Sequence, residues 1–321
     1  MKAAAAPPAE AVRRPARDAA PSTAVAAAVM VTVVVIWGLG PPVTKLITAP
    51  PLVAVSVRFW CSVPVVWALV YATGRRVPFD VLRRTALAGA LFGVNLALLF
   101  AALQRTSVAV LAVISSLQPG VVLVVAGPWL GERATRWHVA WTVAGVVGVA
   151  VVVLGGQDEV RGDAFGILLG VAGMLTFTAY SLINRRVRFG TGIDPLQWTA
   201  GITLVAGLTI TPIALAVSSP ADYRQLAGAD WLYLAFVAGV VGIVSHTMMS
   251  WAHRFIPASR SSLFLLGAKV VAISAAWPLH DEPVTLLQVL GGLIVLGAVA
   301  AVVSRPASVR VGDQDGWEPD A

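Results

Sequence analysis

Over 321 residues, apolar side chains make up 58% of the chain and charged ones only 12%, against about 45–50% and 25% in soluble domains. So few charges cannot cover that much apolar surface in water, so the composition excludes a soluble domain and points to lipid as the solvent. The net charge of +7 sits between apolar runs without an aromatic-interleaved patch, which argues against nucleic acid, and a single cysteine, Cys61, excludes disulfides.

Residues 1–23, rich in Ala, Pro and Arg, are predicted to be a disordered cytoplasmic tail and not a cleaved signal peptide. A span needs about 20 mostly apolar residues, and ten such runs follow. The first five are 24–47, 52–73, 85–103, 108–130 and 137–154. Trp37-Gly38 and Lys45 fall in span 1, Arg58 in span 2, Asn95 in span 3 and Gln118-Pro119 in span 4. The second five are 164–184, 196–217, 231–250, 258–280 and 286–304, with Ser245-His246 in span 8 and Ser262 and Lys269 in span 9. Even the β-branched run 31–36 is predicted helical, because a lone strand would leave its backbone unpaired in lipid. Residues 305–321 resemble the first tail in character.

With the N-terminus inside, seventeen Lys and Arg fall in cytoplasmic segments, against Arg105, Arg161 and Arg224 on the other side. That bias places both termini in the cytoplasm. The spacings Gly89-xxx-Gly93 and Gly166-xxx-Gly170 predict close helix packing and carry no information about substrate.

A shift of 150 residues overlays Pro128-x-x-x-Glu132-x-x-Thr135 on Pro278-x-x-x-Glu282-x-x-Thr285. Five spans separate the copies, and an odd number reverses direction. The halves, 24–154 and 164–304, are therefore expected to be inverted repeats, a plan that puts a transport site between them near the midplane. Glu132 and Glu282 sit at span ends and read as structural. Thr285-x-x-Gln288 is a capping-box pattern for the last span.

In these features the chain resembles the EamA family of the drug/metabolite transporter superfamily. The matching elements are Trp37-Gly38 with Lys45 eight residues after Trp37, Arg58 early in span 2, Gly131-Glu132 after span 4, and the repeated Glu282. The resemblance covers 25–303. It implies an all-α fold of ten transmembrane helices as two inverted five-helix repeats, with a cavity lined mainly by spans 1, 3, 4, 6, 8 and 9. It also implies export or exchange of amino acids, metabolites or drugs. One departure is that Lys269 stands at the repeat position of Pro119, where the family often has a proline.

Lys269 lies about 11 residues, roughly 16 Å, from either end of span 9. It is too deep to snorkel, and no Asp or Glu sits deep in any predicted span. It either faces a hydrated cavity and binds a substrate anion, sheds its proton and takes part in proton cycling, or bonds to carbonyls of a broken helix near Pro119. On the binding reading, Lys269→Met abolishes transport. Ser262, a heptad earlier, is expected on the same face, extending a polar lining. Arg58 is a candidate cavity residue about six residues into span 2, shallow enough to snorkel, and Lys45 reads as an interface anchor. Asn95 and Ser245 are repeat mates expected to face each other across the cavity. His246 either titrates near neutral pH or is a hydrogen-bonded core residue. Trp37 and Gln118 complete the candidate lining, since Pro119 frees carbonyls that need partners.

No metal-ligand spacing, no phosphate-cradling loop and no room for a nucleotide domain is found. No cofactor and no enzymatic activity are therefore expected. The membrane carboxylate on which small multidrug exporters rely is missing from span 1. The expected function is a secondary transporter of small metabolites in the cell inner membrane, working by alternating access with export favoured and proton coupling open. Its partners would be a small-molecule substrate and membrane lipids, with the chain a monomer or homodimer. The rival reading is a non-transporting sensor, scaffold or lipid-handling protein, which a dry, closed bundle would favour.

Overall fold

The computed structural model describes residues 23–103, 105–106, 108–130, 135–155, 163–188, 192–253, 255–256, 258–280 and 285–304. Both tails, Gly131, Glu132 and Glu282 lie outside the described residues. Among the described residues the regular structure is helical throughout.

The first half comprises α1 (Thr23–Lys45), α2 (Pro51–Ala72), α3 (Phe79–Leu103), α4 (Val108–Ser116), α5 (Gln118–Leu130) and α6 (Arg136–Leu154). The second begins with α7 (Ala164–Arg188), α8 (Pro195–Val217), a short α9 (Pro220–Arg224) and α10 (Asp230–Phe236). It continues through a π-helical stretch (Val237–Val244) into α11 (Ser245–Ala252), α12 (Ala258–Phe264), α13 (Gly267–His280) and α14 (Leu286–Ser304). Among the described residues six stretches are long and apolar enough to cross a membrane: Ala24–Thr44, Pro51–Ala72, Phe79–Ala102, Ala164–Val187, Pro195–Val217 and Asp230–Ala252. Val113–Val122, Arg136–Val152 and Leu286–Ala301 are shorter apolar helices. Leu168, Leu215 and Leu293 remain exposed, as a lipid solvent allows.

Two expected spans are broken. Pro119 lacks an N–H and its ring crowds the carbonyl four residues back, so α4 stops at Ser116 and α5 starts at Gln118. Between α12 and α13 no proline is needed. Leu266 and Lys269 instead donate to carbonyls three residues back, Leu263 and Leu266, each at 3.1 Å. With the 150-residue offset, Leu117 corresponds to Gly267, one residue after the break at Leu265–Leu266, so the two breaks fall within two residues of each other.

The helix contacts follow a two-fold pattern under that offset. α3 packs on α7 as α11 packs on α1, and α3 on α8 as the π stretch packs on α2. α1 on α13 is matched by α7 on α5, while α2 packs on its counterpart α8 and α6 on its counterpart α14. Glycines permit the closest approaches. A Cβ on Gly38 would collide with Val271, and one on Gly89 would lie 2.7 Å from Val205 Cβ. One on Gly170 would lie 2.6 Å from Leu111 Cδ2. Both small-residue spacings read from the sequence thus sit at helix crossings.

Helix ends are capped as their sequences require. Asp194 accepts from the N–H groups of Leu196 and Gln197 and forms a capping box on α8. Thr285 and Gln288 exchange the expected box at α14, at 2.9 and 3.2 Å. At the start of α7, the Asp163 carboxyl is held below its usual range, first by the Gly166 N–H and then by Arg105. The buried Asp230 accepts from both the N–H and the hydroxyl of Thr48, at 3.1 and 2.7 Å, tying the α1–α2 turn to α10. Asp230→Ala is expected to cost about 1–3 kcal/mol by orphaning the Thr48 N–H; a lower Tm in detergent with transport retained at low temperature is the check.

Candidate functional site

The first cavity is small and lies between the two halves. From the first half it is lined by Arg58, Phe59 and Ser62 of α2 and Phe92 of α3. From the second come Tyr180 of α7, Trp198, Thr199, Ile202 and Thr203 of α8, Gly242 of the π stretch and His246 of α11.

Arg58 is the electrostatic centre of this cavity. It is only 8% exposed, yet its guanidinium has neither a hydrogen-bond nor an ion-pair partner among the described residues. The side chain does not snorkel to the near interface, as its shallow position in span 2 had allowed. A Cβ on Gly242 would lie 3.8 Å from Arg58 Nη2 and 3.6 Å from Ser62 Oγ, so the guanidinium lies against the π stretch. Burying a charge without a counter-charge is costly, and a bound anion would offset that cost. Gly242 keeps the space beside the guanidinium open. Gly242→Leu is therefore expected to cut transport tenfold or more with the protein still monodisperse, measured as efflux from cells or proteoliposomes.

Aromatic side chains line the cavity beside Arg58. Phe92 stacks on Tyr180 with centroids 5.0 Å apart and meets His246 edge-on at 4.7 Å. The Tyr180 hydroxyl is 3.2 Å from His246 Nδ1. Trp37 forms a second layer, 5.0 Å from the His246 ring, and its indole N–H donates to Ser245 Oγ at 2.6 Å. Ser245 passes this on to the Val241 carbonyl. The indole anchors the helix that presents His246, and Gly38 beside it lets α13 approach α1.

A second small cavity is lined by Gln118 and Val122 of α5, Ser181 of α7, Met249 of α11, Ser261 and Ser262 of α12 and Leu265 at the following break, with His253 beside them. His253 is 3.4 Å from the Asn184 amide nitrogen, and its carbonyl accepts from the Arg185 guanidinium.

The residues singled out from sequence separate accordingly. Arg58, His246 and, one layer out, Trp37 gather at the first cavity, and Gln118 and Ser262 at the second. Asn95 does not face Ser245 across a cavity; its amide donates to the Gly173 carbonyl at 2.8 Å, where α3 crosses α7. Lys269, half-buried in the first turn of α13, lines neither cavity and forms no ion pair among the described residues. Nor does Ser262 share a continuous helical face with it, because the break at Leu265–Leu266 lies between them. The expected set of lining spans also changes: spans 2 and 7 line the first cavity, while span 1 reaches it only through Trp37. Tyr180, Trp198 and Thr199 were not foreseen. The aromatic residue beside Arg58 (Phe59) and the one a turn from Phe177 (Tyr180) were the only hints.

Helical among the described residues and apolar on its exposed faces, the chain is a multi-pass membrane protein. Residues 24–154 and 164–304 each match the EamA-like transporter family, and the chain belongs to that family. It is similar to an uncharacterized transporter of Archaeoglobus fulgidus, 26% identical over 289 residues, covering 86% of this chain and 98% of the relative. A probable amino-acid metabolite efflux pump of Escherichia coli is 26% identical over 280 residues, covering 82% and 90%. The uncharacterized transporter YyaM of Bacillus subtilis is 26% identical over 216 residues, covering 66% and 69%. A solved crystal structure shares the fold at a TM-score of 0.72 and 21% identity, covering 87% of this chain and 96% of that one. The protein is a membrane transporter, and nothing in these relatives points to catalysis.

Proposed function

We propose that this protein exports small carboxylate-bearing metabolites, amino acids or related organic anions, across the cell inner membrane by alternating access. The unpartnered Arg58 guanidinium in an aromatic-lined cavity carries this reading: Arg binds carboxylates through a planar pair of N–H groups, and the rings suit an apolar body. The name of the Escherichia coli relative, a probable amino-acid metabolite efflux pump, agrees with that chemistry.

The architecture proposed is ten spans in two inverted five-helix halves with both termini cytoplasmic, acting as a monomer or homodimer. The 150-residue repeat, the matched helix breaks and the two-fold contact pattern support it. Rocking of the halves would open the Arg58 cavity to either side in turn. Lys269 takes a secondary role in this scheme, because its ammonium lies outside both cavities. Lys269→Met is expected to slow export less than tenfold.

Cells overexpressing the wild type, Arg58→Met or Lys269→Met, profiled for metabolites in medium and cytoplasm, test the proposal. Carboxylate-bearing metabolites should accumulate in the medium with the wild type and Lys269→Met and not with Arg58→Met. A phenotype confined to cationic compounds would refute it.

A further inference from the structure

α2 and α8 pack together, through Ser56 and Thr211 near one end and Val66, Val70 and Ala200 near the other. A polar clasp closes each end of this seam. At one end Asp230, the first residue of α10, accepts from the N–H and hydroxyl of Thr48, just before α2. At the other end Asp194, the N-cap of α8, accepts from the Arg75 guanidinium at 2.7 Å, and the Gln197 amide donates to the Arg76 carbonyl. The 150-residue repeat relates the two clasps. Each joins the start of the second span of one half to the junction of the second and third spans of the other. In the topology proposed above they fall on opposite membrane faces, the Asp230 clasp outside and the Asp194 clasp on the cytoplasmic side.

Their strengths differ. Asp230 is only 3% exposed, so breaking its clasp strands a carboxylate away from water. The Arg75 and Asp194 side chains are 50% and 21% exposed, and water replaces such a pair at little cost. Arg75 also sits on a short link, 73–78, that turns through Gly74 at φ 72°, a left-handed conformation suited to glycine. The Asp194 clasp is thus the easier one to open.

What it covers is the Arg58 cavity. Directly after Asp194 and Gln197 in the chain, Trp198 and Thr199 line that cavity. The Thr199 hydroxyl accepts from Thr247, the neighbour of His246 on α11, at 3.0 Å. Val70, Val77 of the link and Leu196 pack in an apolar cluster with Ile243 of the π stretch. One helical turn therefore carries both the clasp and the cavity wall, with an apolar seal beside them.

We propose that the Asp194–Arg75 clasp is the cytoplasmic gate of the Arg58 cavity. When it opens, the 73–78 link swings off the first turn of α8 and exposes the cavity to cytoplasmic solute, while the buried Asp230 clasp holds the outer end shut. Asp194 acts as a positioning residue, through Arg75 and the helix start and not through the cargo. The inference rests on the transporter reading for the cargo and on the two clasps for the place of the gate.

Labelling from the cytoplasmic side tests it, in the full-length protein in inside-out membrane vesicles. In a Cys61→Ala background, Ser62→Cys places a thiol in the cavity wall, and its rate of reaction with a membrane-impermeant methanethiosulfonate is measured. Asn caps a helix about as well as Asp, so Asp194→Asn removes the ion pair and keeps the start of α8. Arg75→Gln removes the same pair from an exposed position. Each should raise the Ser62→Cys rate at least fivefold, whereas Asp230→Asn, which loosens the outer end, should leave it within twofold. An unchanged rate in monodisperse Asp194→Asn or Arg75→Gln, or an equal rise in Asp230→Asn, overturns the proposal. Adding Arg58→Met to the series separates the two readings. Clasp-dependent labelling with undiminished export would refute the cargo role of Arg58 and leave the gate standing; clasp-independent labelling with lost export would do the reverse.

Discussion

Arg58→Met is expected to abolish export, a loss of at least about a hundredfold, while making the substrate-free protein more stable. Both effects have one cause. The guanidinium is 8% exposed and has no partner among the described residues, so the folded protein carries an uncompensated burial cost. Isolated buried charges cost several kcal/mol, and replacement by an apolar side chain of similar length relieves that cost. The apparent Tm in detergent should rise by on the order of 5 °C. Arg58→Lys keeps the charge but loses the planar fork, and transport should fall about 10- to 100-fold. A drop in Tm on Arg58→Met would show that the side chain holds the fold together instead of awaiting an anion.

The second large effect is structural. α6 and α14 cross with glycines in contact: a Cβ on Gly291 would lie 2.6 Å from the Val152 nitrogen and 2.7 Å from the Gly148 carbonyl oxygen. A Cβ on Gly148 would in turn lie 3.0 Å from the Gly291 carbonyl oxygen. These contacts are to backbone, which cannot rotate away as a side-chain tip can. Close approach of small residues is a main source of helix association where lipid removes the hydrophobic drive. Gly291→Leu is expected to prevent assembly, seen as loss of the monodisperse peak in size-exclusion chromatography. Gly297→Ala, on the same helix with open space around the new Cβ, should elute as the wild type does.

How much of this was legible in the sequence depends on the kind of signal. Caps and close crossings were readable because they are local: Thr285-x-x-Gln288 forms its box, and Gly89 and Gly170 sit where helices meet. Pro119 announced its break for the same reason. The break in span 9 had no proline to mark it, and it upset the site reading. Residues bonded three back advance by about 120° instead of 100° each, so Ser262 and Lys269 lose the heptad phase that would align them. Depth can be counted along a span, which is why Lys269 stood out, but the direction a side chain faces depends on neighbouring helices. Arg58 illustrates the same limit: its shallow position allowed snorkelling, whereas α2 packed against the π stretch turns the guanidinium inward. The ring cage drew on α2, α3, α7 and α8 together, and one sequence holds no record of which distant helices touch.

The most direct measurement is binding of a panel of apolar amino acids and aromatic monocarboxylates, each paired with its amide, to purified wild type and Arg58→Met, followed by tryptophan fluorescence. Trp198 and Trp37 stand at the cavity as reporters. Acids should bind the wild type, their amides at least tenfold more weakly, and Arg58→Met should bind neither. Amides binding as tightly as acids, or acids binding undiminished to Arg58→Met, would contradict the claim that this guanidinium holds the cargo.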